Sequence, residues 1–262
     1  MYKIQLSVLF VVFLCTVVSC KKEGLPVAHG SRLKTVVSKW YDSLAYTYFI
    51  YDIQNRLTNV IDSNNNGHKH NLRIDYDAQN RPIKLTTTST YNNLPFYPDQ
   101  SCALVYDSNG RIVKKVDDSP VSYVNVTRNT YTYDAKGRLI ADTIHSYWAN
   151  EIFSYTTYTY DNNDNVVETK MFEKSSGVIQ MVETAISTYD SKTNPYKDLG
   201  VFMYIINQND LYLNKNNRNS ENYQSGTKVN FDYQYYSNGL PRRVSTKDNS
   251  DPSITYIDFF YE

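Results

Sequence analysis

Two hydrophobic patterns divide the chain. From about residue 4 to residue 18 nearly every position is apolar, behind a single positive charge at Lys3. Further on, apolar or aromatic residues alternate with Thr, Ser or Asn, as in Tyr131-Thr132-Tyr133 and Tyr155-Thr156-Thr157-Tyr158-Thr159-Tyr160. Alternation at period two places one set of side chains on one face of a strand and the rest on the other.

The alternating segments are punctuated by a recurring heptad. Tyr51-Asp52-Ile53-Gln54-Asn55-Arg56-Leu57 returns at Tyr76-Asp77, Tyr106-Asp107 and Tyr133-Asp134, each time with Arg four positions after the Asp (Arg81, Arg111, Arg138). Weaker copies start at Tyr160, Tyr189 and Tyr235. The third residue after the Asp position is Asn, Gly or Asp in most copies, including Gly110 and Gly137. Those residues tolerate positive φ, which a tight hairpin demands. The Asp side chain accepts backbone N–H groups across the turn. Each heptad is therefore predicted to be a β-turn in which Asp and Arg become neighbours, an exposed pair that serves register more than stability.

A period of about 27 residues holds two strands and two connections. This predicts an all-β fold: an antiparallel up-and-down meander of about 12–14 strands, closed or nearly closed into a barrel. An open two-layer sheet is the alternative. The connections opposite the heptads are variable and polar, as around residues 62–68. The wide gap before the last copy holds residues 194–202, read as a short helix or an inserted loop over one barrel end. Residues 207–226 follow, Asn-rich and read as a long surface loop.

Composition sharpens this picture. The chain has 26 Tyr, and Lys plus Arg equals Asp plus Glu at 27 each. Tyr and Thr suit pleated surfaces. The absence of basic excess argues against nucleic-acid partners. The apolar start, too short for a confident span, fits a secretory signal, and it ends in Val17-Val18-Ser19-Cys20, which resembles the bacterial lipobox. That resemblance implies cleavage before Cys20 and acylation of its thiol. The expected organisation is a signal peptide at 1–19, a lipidated Cys20 with a tether at 20–33, and one repeat domain at 34–262. The expected location is the cell envelope, on the outer membrane, with the periplasmic and surface orientations both open. After cleavage and lipidation only Cys102 remains, so no internal disulfide is available, and its apolar setting predicts a small buried hydrophobe.

Catalytic motifs are missing: there is no nucleophile elbow, zinc-protease helix, phosphate loop or dinucleotide fingerprint. His68 and His70 are two ligands short of a metal site, and no cofactor is expected. Most heptad aspartates are accounted for by turns, so no acid–base pair is nominated. The aromatic residues Trp40, Tyr91 and Trp148 are candidate ligand-binding positions, since rings beside Asn and Asp suit glycan stacking and hydroxyl recognition.

The Tyr-Asp-x-x-Gly-Arg-Leu unit is similar to the YD repeat of Rhs-type and teneurin-type proteins, whose repeats build large β-sheet shells. The whole also resembles uncharacterised bacterial lipoproteins with YD-like repeats after a lipobox, one family of which has been described as porin-like in fold. The resemblance covers about residues 40–262 and implies fold more than function. The expected role is a non-enzymatic, lipid-anchored binding or scaffold module of the envelope, with a glycan or an envelope protein as partner. A glycan-acting enzyme and a small outer-membrane pore are the alternatives; charges on both faces of segments such as residues 111–116 count against the pore.

Overall fold

The computed structural model describes residues 31–40, 43–117, 128–145, 151–251 and 253–262. Cys20, the signal and most of the tether lie outside these residues, as do Trp148 and the side chain of Trp40. The described chain forms sixteen strands: β1 (Leu33–Trp40), β2 (Ser43–Tyr51), β3 (Leu57–Asn64), β4 (His68–Tyr76), β5 (Pro82–Tyr91), β6 (Leu94–Tyr106), β7 (Ile112–Asp117), β8 (Arg128–Tyr133), β9 (Leu139–His145), β10 (Ile152–Tyr160), β11 (Val166–Ser175), β12 (Val178–Thr193), β13 (Asn216–Tyr223), β14 (Lys228–Tyr235), β15 (Pro241–Asp248) and β16 (Ile254–Tyr261). Each pairs antiparallel with its sequence neighbours, and β1 pairs with β16, so the sheet is a closed barrel. The meander and its closure are as the repeat predicts. The count exceeds 12–14 because β1, β16 and the β13–β14 hairpin lie where the heptads are incomplete.

The heptads are the turns at one end of the barrel. Asp52 N donates to Arg56 O at 3.0 Å, and Asn55 N donates back to Asp52 O at 3.0 Å. Asp52 Oδ1 accepts the N–H groups of Gln54 (2.8 Å) and Arg56 (3.0 Å), while Oδ2 takes Arg56 Nε and Nη2, both at 2.7 Å. The same set recurs at Asp77/Arg81, Asp107/Arg111 and Asp134/Arg138. The third loop residue is left-handed in each case: Asn55 at φ 63°, Asn80 at 61°, Gly110 at 75° and Gly137 at 81°. The register shifts just before each heptad Tyr, the bulge that accompanies a three-residue hairpin loop ending in that conformation.

Adjacent turns are also bonded to one another. In four copies the heptad Tyr donates its hydroxyl to the carbonyl that follows the previous copy's Arg: Tyr76 to Leu57 at 2.6 Å, Tyr106 to Pro82 at 2.6 Å, Tyr133 to Ile112 at 2.6 Å and Tyr160 to Leu139 at 2.8 Å. That Arg lies over the same ring, 4.6–5.1 Å from its centroid in these four pairs. Where the left-handed residue carries a polar side chain, the preceding Arg bonds it as well, as in Arg56 to Asn80 and Arg138 to Asp164. Tyr, Asp and Arg thus form one ladder around the rim, which the paired reading of Asp and Arg alone does not capture.

The ladder closes through a split copy. Tyr261-Glu262 supplies the Tyr and acidic positions, and Arg32-Leu33 supplies the Arg and apolar positions. Glu262 N donates to Arg32 O at 2.9 Å, Arg32 pairs with the Glu262 carboxylate, and Leu33 sits opposite Tyr261. Tyr261 donates to Pro241 O at 2.9 Å, and Arg32 lies 4.3 Å over Tyr51.

The sixth copy departs from the predicted hairpin. Asp190 Oδ1 accepts from Lys192 N, as in the five preceding turns, but the second donor is Asn217 N rather than the residue four positions on. Residues 193–216 replace a single loop position. This insertion contains helix α1 (Gly200–Asn207) and a 3-10 turn at Asp210–Leu213.

Candidate functional site

The insertion supplies the short helix that is one of the two readings of residues 194–202, at Gly200–Asn207, and folds it into the barrel instead of over its end. Met203, Tyr204 and Ile205 of α1 are almost wholly buried and join a core made of strand residues near the heptad end, including Leu57, Leu104, Leu139 and Val166. Cys102 belongs to this core, opposite Leu85. The helix is apolar nearly all round because barrel wall surrounds it. Its neighbours include β7, where Lys115 Nζ lies 3.5 Å from Ile205 O, and β9 and β10 through Tyr204. Tyr204 and Tyr158 hydroxyls are 2.6 Å apart, and Tyr204 donates to Asp142 Oδ2 at 3.0 Å. Asn129 Nδ2 reaches the same carboxylate at 3.1 Å.

The Asn-rich stretch read as a surface loop is exposed only in part: Asn214, Asn217, Arg218 and Glu221 within it are buried, as is Asn194 before it. Asn194 Nδ2 donates to the carbonyls of Leu211 and Asn214, and Asn214 accepts from Val166 N and donates to Asp210 O. Amides can be buried when both ends find backbone partners. Residues 216–223 are strand β13, not loop.

Between the inner face of the insertion and the barrel wall lies a cavity of about 470 Å³. Its lining includes Asp142, Tyr158, Tyr204, Asp210, Arg218 and Glu221, with Tyr223 and Phe231 beside them. It sits on the side of α1 away from the heptads, toward the end carrying the variable connections. Arg218 is 3% exposed; its Nη1 donates to Glu221 Oε1 at 2.9 Å and its Nη2 lies 2.8 Å from Asp210 Oδ2. Its Nε is buried with no hydrogen-bond partner. Thr169 Oγ1 donates to Asp210 Oδ2 at 3.2 Å, and Tyr223 donates to Glu221 Oε2 at 2.9 Å. Burial holds the carboxyls of Asp142 and Glu221 above their ordinary range; hydrogen bonds from Asn129 and Tyr204 oppose this at Asp142, and Arg218 opposes it at Glu221.

Of the three nominated aromatics, only Tyr91 has a described side chain. It ends β5, opposite His68, with ring centroids 4.6 Å apart. Phe96 joins both rings, and Leu94, Phe96 and Tyr97 are exposed on the start of β6. His70, also on the strand, bonds Ser89 through Nδ1 at 2.8 Å. Among the described residues no group of three or more His, Cys, Asp or Glu could hold a metal. The heptad residues nominated as structural turns all occupy that role. Sequence reasoning missed Tyr204, Asp210, Arg218 and Glu221: all four fall within residues 204–221, most of which the sequence reads as a polar surface loop, and only the folding of the insertion into the lumen brings them against Asp142 and Tyr158. The hint was the unusual gap itself.

The outer face is mixed: Tyr48, Ile50, Val105, Ile186, Tyr256 and Phe260 are exposed on it, and charged residues are interspersed among them. Val60 and Leu72 pair on the core side, so the adjacent pair Asn59–Arg73 faces outward. By the same alternation Thr157 pairs with Lys170, and Arg243 with Asp258, outside the barrel. Arg243 and Asp258 form a two-point ion pair at 2.5 and 2.7 Å. No helix among the described residues is long and apolar enough to cross a membrane, a statement that does not bear on strands.

The fold and the cavity define a sixteen-stranded, internally plugged β-barrel. It is similar to a porin-like protein from Bacteroides uniformis, at TM-score 0.62 and 11% identity, covering 90% of this chain and 99% of that one. A porin-like protein from Bacteroides vulgatus aligns over 88% of this chain and 99% of its own, at TM-score 0.49 and 11% identity. A TcdB2-TccC3-TEV structure aligns at TM-score 0.31 and 13% identity over 82% of this chain, which spans 10% of that chain. No protein-family model and no curated protein matches the chain.

Proposed function

We propose that this protein is a lipid-anchored binding module of the cell envelope that receives a glycan through the open end of its barrel. The observation that carries the reading is a lumen closed at the heptad end by the chain's own helix, with a polar cavity of about 470 Å³ beyond it. Such a volume lies within the range of small-molecule sites, roughly 300–1,000 Å³. The aromatic cluster at Tyr91 and Phe96 stands on the end that gives access, a surface suited to stacking on sugar rings. The anchor would be Cys20. The described chain enters the barrel beside Glu262, so the tether joins it at the heptad end.

The outer face favours tethering over spanning. Arg73, Lys170 and Arg243 would each meet hydrocarbon in a spanning barrel, at a cost of roughly 2–4 kcal/mol apiece near the midplane. A second reading, a glycan-acting enzyme, draws on Asp142 and Glu221 lining one cavity with raised carboxyl pKa values. Asp142 is already held by Asn129 and Tyr204, which favours a structural role and hence binding.

Two measurements test the proposal. Radiolabelled palmitate should enter the wild-type protein and not Cys20→Ser. Tyrosine fluorescence should change saturably on titration with a panel of envelope and dietary polysaccharide fragments, more weakly for Tyr91→Ala. Unlabelled wild type removes the anchor from the account, and a flat titration across the panel removes the ligand class. Chromatography of the incubated fragments distinguishes the enzyme, which would shorten them.

A further inference from the structure

Resting on the glycan reading above, we infer that the luminal site is built for a neutral saccharide unit, held by Arg218, Glu221 and Asp210, and rejects both acidic and basic sugars. Arg218 is 3% exposed, lines the cavity, and keeps a buried Nε–H without a partner. Guanidinium N–H groups only donate, so Arg218 can take a further acceptor in addition to the Tyr189 hydroxyl it already faces. An anionic ligand would supply one, but Arg218 is flanked at 2.8 and 2.9 Å by the carboxylates of Asp210 and Glu221. A third negative charge would be added where one cation already serves two acids. A cationic ligand would satisfy the acids while meeting a guanidinium that cannot lose its proton.

A hydroxyl satisfies both requirements, since it donates and accepts at once. Two neighbouring hydroxyls on one sugar ring can accept from Arg218 and donate to Glu221 or Asp210 without adding charge. Both protein contacts to the Asp210 carboxylate fall on Oδ2. Glu221 is used at each oxygen, by Arg218 and by Tyr223. Phe231 and the rings of Tyr158 and Tyr223 supply apolar walls for the C–H faces of the ring. The exposed cluster at Tyr91 is a separate surface on the mouth, so a chain can contact both while only its end unit enters the lumen.

Calorimetric titration of the purified full chain tests this with three probe sets: neutral gluco-, galacto-, manno- and xylo-oligosaccharides, oligogalacturonate, and chitosan oligomers. At least one neutral probe should bind about tenfold or more tightly than either charged set, the scale of one hydrogen bond to a charged group lost in a buried site. Glu221→Gln and Arg218→Lys should each weaken that probe by about tenfold or more. Tyr223→Phe changes one hydroxyl and should weaken it by a smaller factor with an unchanged circular-dichroism spectrum, which keeps the test readable if Arg218→Lys fails to fold. Equal or tighter binding of oligogalacturonate or chitosan overturns the inference and leaves the glycan reading standing. So does binding that survives all three luminal substitutions and falls only in Tyr91→Ala. If no probe in any set binds, the glycan reading itself fails.

Discussion

At the scale of single residues, the turn chemistry makes separable predictions. Tyr133→Phe keeps the ring under Arg111 and removes only the 2.6 Å bond to Ile112 O. Chemical denaturation should show a loss of about 0.5–1.5 kcal/mol. Gly110 has φ 75° with nothing within 4 Å of an added Cβ, so its constraint is backbone conformation alone. Gly110→Asn should be close to neutral, as Asn55 and Asn80 hold the same place, while Gly110→Val should cost about 1–2 kcal/mol or more. The turn carboxylates also set an acid limit. The Arg backbone N–H four residues on, then its side chain and the N–H two residues on, hold Asp52, Asp77 and Asp107 below the ordinary aspartate range against partial desolvation. The unfolded chain therefore binds more protons than the folded one, and stability is lost as pH falls from about 4 through the depressed native values. Thermal melts between neutral pH and pH 2 should show Asp107→Asn losing less on acidification than the parent; parallel curves would contradict the assignment. These residues were legible in the sequence because the same three chemical demands recur at fixed spacing. Their mutual bonding was not, because the partner of each Tyr lies in the preceding copy, at a distance that one heptad does not encode.

At the scale of elements, the insertion was located by its length and misread by its composition. Asn and polar residues around 207–226 suggest solvent, yet Asn214 and Asn217 are at most 2% exposed: the Asn214 amide bonds the backbone of Val166 and Asp210, and Asn217 Nδ2 donates to the Asp190 carboxylate and the Tyr235 hydroxyl. The plug is held across the lumen by the Tyr204, Tyr158 and Asp142 contacts. Tyr204→Phe leaves both partners short of a bond inside the barrel and should cost about 1–3 kcal/mol, with faster hydrogen exchange in α1 before the strands. Unchanged exchange there would mean the helix is held by apolar packing alone. Closure is an element-scale property too: the split copy joining Arg32 and Glu262 has the geometry of a heptad turn. A circular permutant with a three-residue loop ending in Gly across that seam, opened at the β11–β12 turn, should retain the barrel, as judged by far-ultraviolet dichroism and a cooperative melt.

At the scale of the whole molecule, the number of strands follows from the number of heptads once the split copy and the interrupted one are included. The sequence displays four strong turn sites and three weaker ones, of which the copy at Tyr189 does not reveal its interruption, and it hides the split copy that depends on long-range pairing. The candidate ligand site was the least legible part. Its residues come from β9, β10, β13 and the insertion, and their grouping depends on barrel closure and on the plug entering the lumen. The central claim is a plugged cup whose exterior carries charges among its apolar residues, tethered to a bilayer rather than embedded in it. Co-sedimentation of the chain from residue 21 onward with phospholipid vesicles, in buffer without detergent, tests it most directly. The protein is expected in the supernatant as a single dispersed species, with vesicle-entrapped dye retained. Recovery with the vesicles accompanied by dye release would contradict it.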